Sequence, residues 1–325
     1  QWLRPLDPAR GGAAIATVVR SPPGISTSCL SGLAFVRWVI TLGMEGYAKI
    51  QRCCFWLGMA GLVAMLGLLL FSSHEAFVSA FNREATSLFG AAGNAYQHTL
   101  DAATKGGTTG VSFGNFGFTS TLLLLPFLAF YLLWPVWGAT LYGEVRGAKE
   151  YRKVFNAMFW GLWITVALVA VIILLIVKTI GWDFYYAANA AYWNSIFLPG
   201  SPAPPVGIWP YPVMFAGWLV GNHLFQALLI IVMGLWFFGW AGTLFLSSTR
   251  VIFAAAFDRV LPEWAANISA KRRVPYGSLI LMIVPALVIS ASWAYLPTFQ
   301  GLLLLATRLI ASTFLWTGNA PTIPP

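Results

Sequence analysis

The segment Pro126-Phe-Leu-Ala-Phe-Tyr-Leu-Leu-Trp-Pro135-Val-Trp-Gly138 carries the clearest chemical signal in this chain. Its two prolines each remove a backbone N–H and clash with the preceding turn, so a helix running through them is broken. The carbonyls and amides freed there need partners that hydrocarbon lacks, which places the break inside protein or around a cavity. Broken helices of this kind bind small solutes through backbone groups and helix-end dipoles, although a proline kink without any ligand is the plain alternative for this segment alone. The remaining candidates are few. Arg37 and Arg308 fall within apolar runs. Arg308, near the middle of its run, faces a cavity or a carboxylate, or else snorkels to an interface if the helix is set differently. His74, His98 and His223 lie between apolar runs or at the end of one, and no Asp or Glu lies within a run. There is no HExxH, no Gly-Lys-Ser/Thr loop and no paired carboxylate. Cys29, Cys53 and Cys54 offer neither a disulfide framework nor a metal-ligand spacing. Enzymatic catalysis, a metal, a cofactor and a proton relay of in-helix carboxylates are therefore not expected.

The elements that hold such a break are set by composition. Charged residues make up 9% of the chain and hydrophobic ones 58%, with sixteen tryptophans, which leaves too little polar surface for a water-soluble globule. A spanning helix needs about 20 apolar residues. Uncharged runs approaching or exceeding that length are Cys53–Phe71, Phe116–Tyr142, Val154–Val177, Leu224–Leu246 and Tyr276–Tyr295, with Phe299–Trp316 interrupted by Arg308. A shorter seventh, Cys29–Thr41, carries Arg37. The expectation is an all-α membrane protein of about seven spans in the inner or plasma membrane.

The net charge of +9 would suggest nucleic acid in a soluble protein, but here it sits between the spans. Lys49, Arg52, Arg146, Lys149, Arg152, Lys153, Arg250, Arg259, Lys271, Arg272 and Arg273 fall on one face, against Arg83, Lys105 and Lys178 on the other. The basic face is read as cytoplasmic, and no nucleic-acid partner is expected. Two long outer stretches, Ser72–Asn115 and Lys178–His223, read as loops; the second has no charge beyond Asp183 until His223 and lies on the protein or membrane surface, as a lid or as an inert loop.

Three sequence stretches resemble the amino acid–polyamine–organocation superfamily of permeases. Gly143-Glu144-Val145-Arg146 after the broken helix resembles that family's Gly-Glu-Val-Lys-like motif at the end of its sixth helix. Arg250, Asp258, Arg259, Leu261-Pro262 and Val274-Pro275 resemble its stretch after helix eight, with a short amphipathic helix between. Tyr47-Ala-Lys49-Ile-Gln51-Arg52 resembles its entry to helix five. The resemblance implies an inverted-repeat fold of which the seven spans are helices four to ten, with the chain an incomplete permease. It also implies a site at Phe130, Tyr131, Leu132, Leu133 and Trp134, with Trp236, Phe237 and Trp240 beside it and an ion position at Gly242 and Thr243. Where relatives have Gly followed by an aromatic residue, this chain has Trp134-Pro135, so the implied pocket is differently shaped.

The implied function is secondary transport of an amino acid or amine, coupled to H+ or Na+, with the lipid bilayer as solvent. The alternatives are a seven-helix receptor and a non-functional permease piece. A retinal protein is disfavoured because none of the last three spans carries a lysine. Residues 1–28 are expected to be irregular, 29–317 to form the membrane core and 318–325 to be an irregular tail.

Overall fold

The computed structural model describes residues 21–91, 93–108, 150–270 and 274–296, with the isolated positions 117, 118, 122, 140 and 299. Five helices among them are long and apolar enough to cross a membrane: α1 Pro22–Thr41, α2 Gly43–Phe71, α5 Tyr151–Thr179, α8 His223–Phe257 and α9 Tyr276–Tyr295. Between these lie α3 His74–Phe89, α4 Ala95–Lys105, α6 Trp182–Phe197 and α7 Pro212–Trp218. No strand occurs among the described residues; Ile268 and Pro275 form a single antiparallel bridge. The two expected spans Phe116–Tyr142 and Phe299–Trp316 lie outside the described residues, apart from a few isolated positions.

Three helices depart from their expected bounds for local reasons. Residues 22–28, expected to be irregular, are the first two turns of α1: Ser21 Oγ accepts the N–H of Gly24 at 3.3 Å and Pro22 and Pro23 open the helix. A hydroxyl cap followed by proline is a helix start. Helix α2 begins ten residues before Cys53, where Glu45 and Lys49 pair at 2.7 Å one turn apart. Helix α8 runs 35 residues and absorbs the stretch expected as a separate amphipathic helix, because Ser247–Phe257 contains neither proline nor glycine. At about 1.5 Å per residue α8 is longer than the hydrocarbon core is thick, so part of it stands outside.

The chain divides into two units. The first is drawn from Gln51–Phe113 and Ile164–Gly239. Here both long outer stretches, expected as loops, are largely helical. Ser73 Oγ caps α3 through the N–H of Ala76 at 3.2 Å, Asn94 Oδ1 caps α4 through Gln97, and Gly90 closes α3 in the left-handed conformation at φ 65°. Their core is aromatic. Phe77, Phe81, Phe184, Phe215 and Trp218 are buried together, with Phe81 edge-on to Phe184 at 4.9 Å and Tyr96 stacked on Phe184 at 4.2 Å. Burial, reinforced by Asp183, pushes the Tyr96 phenol up, so it stays neutral. A clip joins the ends of two membrane spans, α5 and α2. Lys178 Nζ donates to the carbonyls of Leu70 and Ser72, and Thr179 Oγ1 donates to that of Leu69 at 2.6 Å. A cation thus satisfies the terminal carbonyls of α2.

The second unit is drawn from Ser21–Ile50, Gly114–Trp163 and Trp240–Pro325. Helix α1 packs on α9, and Val36, Val39, Ile40, Tyr47, Leu246, Val274 and Leu279 form its core. Helix α8 ends at Phe257, and in the turn beyond it Arg259 is the one non-glycine residue at positive φ, 60°, among the described residues. The Val260 N–H there returns to the Ala255 carbonyl at 2.9 Å. Glycine adopts this conformation without the Cβ penalty that arginine carries. Arg259→Gly is therefore expected to raise the stability of the detergent-purified protein by about 0.5–1 kcal/mol in thermal unfolding. A lower melting temperature would show that contacts of the Arg259 side chain outweigh the strain.

Candidate functional site

Helix α8 bears the described part of the candidate site. Gly239, Thr243 and Ser247 follow one another at four-residue spacing, which sets them along one line of the helix surface. Within the second unit, the Thr243 and Tyr47 hydroxyls lie 2.7 Å apart, and those of Ser247 and Thr140 lie 2.5 Å apart. Tyr47 and Ser247 are buried. Gly242 lies under the Tyr47 ring, whose Cε2 would be 3.3 Å from a Cβ placed there. The result is a row of neutral hydroxyls in an otherwise apolar span. Such groups hydrogen-bond a polar solute or lend lone pairs to a small cation, and they carry no acid–base chemistry of their own at neutral pH.

The aromatic candidates separate. Within the first unit Trp236 is turned onto α2: its Nε1–H donates to the Phe55 carbonyl at 3.3 Å and its ring covers Gly58. Phe237 in the first unit and Trp240 in the second are both exposed, by 59% and 45%. Arg250 lies in α8 and Asp258 and Arg259 in the turn beyond it. Pro126, Phe130, Tyr131, Leu132, Leu133, Trp134, Pro135, Gly138, Gly143, Glu144, Arg146 and Arg308 lie outside the described residues. No group of three or more His, Cys, Asp or Glu side chains suited to a metal occurs among the described residues.

Sequence reasoning did not single out Tyr47, Thr140 or Ser247 as a polar set. Tyr47 and Ser247 stand in the motif stretches, but nothing local shows that Tyr47 meets a partner 196 residues away.

Apolar spans, helical connections between them and hydroxyl pairs inside the spans define a multi-pass, all-α membrane protein. The family model described as amino acid permease matches residues 24–319, and the chain belongs to that family, within the amino acid–polyamine–organocation superfamily. Its family is one of transporters, with a small-molecule substrate and a membrane setting. No curated protein and no solved structure matches the chain significantly.

Proposed function

We propose that this chain works as a secondary active permease of the inner or plasma membrane, moving an amino acid or related amine by alternating access. The family match over residues 24–319 carries the reading. The Pro126–Gly138 break supplies the solute site, with Phe130 to Trp134 contacting the substrate. The hydroxyl row of α8 supports a polar path through the span, with Thr243 and the backbone at Gly242 as an ion position beside Tyr47. Proline-freed backbone groups and helix ends favour a zwitterion or cation without a buried charged side chain.

Uptake of labelled amino acids and amines into proteoliposomes, with a sodium gradient, a proton gradient or neither, tests this. Phe130→Ala and Trp134→Ala are each expected to keep expression while reducing uptake at least about tenfold, the loss of roughly 1.4 kcal/mol of solute binding. Uptake unchanged in both variants would remove the site assignment, and no uptake of any amino acid or amine by the wild type would remove the function.

A further inference from the structure

We infer that Arg83, Glu84 and His223 form a proton-operated latch, with Gln226 at its edge, that fastens the start of α8 to α3. Glu84 is the one acidic side chain buried among the described residues, 2% exposed, although it stands in an extramembrane helix where water was available to it. Its Oε1 accepts from Arg83 Nε at 3.1 Å, and Arg83 Nη2 also donates to the Trp218 carbonyl at 2.8 Å. Its Oε2 has no hydrogen-bond donor and lies 3.3 Å from Nε2 of His223, the first residue of α8. One turn further, buried Gln226 donates through Nε2 to the Val220 carbonyl at 2.9 Å and leaves its Oε1 without a donor. These contacts tie α3, the end of α7 and the first turn of α8 together within the first unit.

The arrangement takes a proton as its ligand. Buried acceptors without donors are costly, and imidazole is the side chain that ordinarily gains a donor and a positive charge between pH 5 and 8. With neutral His223 the contact is at most one hydrogen bond; with imidazolium it is an ion pair to a buried carboxylate. Two effects oppose the proton, namely the Arg83 guanidinium and the positive end of α8. Both are offset locally. Arg83 is half exposed and screened by water, and α8 has no acid of its own in its first turn, so Glu84 is the counter-charge that α3 supplies. The other elements packed on α3 are α4, α6, α7 and the end of α5: α7 has no titratable residue, and among the described residues neither Asp183 of α6, Lys178 of α5 nor His98, Asp101 or Lys105 of α4 makes an ion pair with the cluster. The sign follows. The ion pair needs the protonated imidazole, so the latch is closed on the acidic side. This holds whatever solute the permease carries.

The test uses the full chain in detergent or nanodiscs, comparing wild type with His223→Gln and Glu84→Gln by thermal unfolding at pH 5.5 and pH 8. The wild type is expected to melt a few degrees higher at pH 5.5, on the order of 2–4 °C. Each variant should flatten that difference, since Gln at either position keeps polarity and removes the charge that the pair needs. A second measurement does not depend on the variants folding. Hydrogen exchange of residues 223–230 in the wild type, corrected for the intrinsic effect of pH, should slow several-fold on acidification. A wild-type profile that is flat, exchange that is unchanged, or a pH dependence that persists in either variant would overturn the latch; in the last case His74 or His98 would be its source.

Discussion

Gly277→Ala is expected to destabilise the protein by about 3 kcal/mol or more, the upper range for forcing atoms into filled space. Gly277 opens α9 where the chain returns from the turn after α8, and a Cβ there would overlap the Trp264 carbonyl oxygen and approach Ala265 Cα at 2.9 Å. These are backbone atoms of the 3-10 turn Glu263–Ala266, which cannot rotate aside as a side-chain tip would. Ala265 is fully buried and its carbonyl accepts from Ser278 Oγ at 2.7 Å, so the turn is held from both sides. Alanine is a better helix former than glycine by about 1 kcal/mol, too little to offset the clash. Ser278→Ala, which removes only the hydrogen bond, should cost nearer 1 kcal/mol. Thermal unfolding in detergent separates the two, and a Gly277→Ala protein as stable as the wild type would mean that the turn does not pack there as described.

The spans were legible because a membrane helix must exclude charge over about 20 residues, a rule that acts along the chain and needs no partner. Tyr276–Tyr295 has the same bounds in both readings. The helices between the spans were missed although their signals are local: Ser73, Gly90 and Asn94 are ordinary caps, but the surrounding residues lack the apolar run that a search for spans rewards. What the aromatic residues between Phe184 and Trp218 bury is one another, and that becomes visible only when α6 and α7 meet α3.

The site was less legible, for a different reason. Hydroxyl pairs such as Tyr47 with Thr243, and ion contacts such as Glu84 with His223, join residues far apart in sequence, and no spacing rule selects the partner. The expected break at Pro126–Gly138 rests on proline acting on its own backbone, a signal that needs no partner. Trp236 shows the limit. Its type and position suit a binding aromatic or a packing one equally, and only the glycine opposite distinguishes them.

That glycine gives the second large effect. Gly58→Ala is expected to cost about 2 kcal/mol, because its Cβ would occupy the place of the Trp236 indole. The ring is not free to leave: its N–H is bonded to the Phe55 carbonyl at 3.3 Å, and next to it Gly61 is closed over by Met233 and Val232, which a Cβ there would meet at 2.9 and 3.0 Å. Small residues of this kind let membrane helices approach closely, and here α2 supplies the glycines while α8 supplies the bulk. The intrinsic preference of a helix for alanine, about 1 kcal/mol, works against the clash, and this makes the interaction measurable. In a Trp236→Ala background the clash is gone, so Gly58→Ala should become neutral or stabilising, a change of sign that a double-mutant cycle reads as a coupling of about 2 kcal/mol. Trp236→Phe keeps the ring and loses the bond to Phe55, so it should lower stability by about 1 kcal/mol. If that variant also loses uptake while its stability loss stays within this amount, Trp236 serves the solute as well as the helix pair; if Gly58→Ala costs as much in the Trp236→Ala background as in the wild type, the ring does not pack on Gly58 at all.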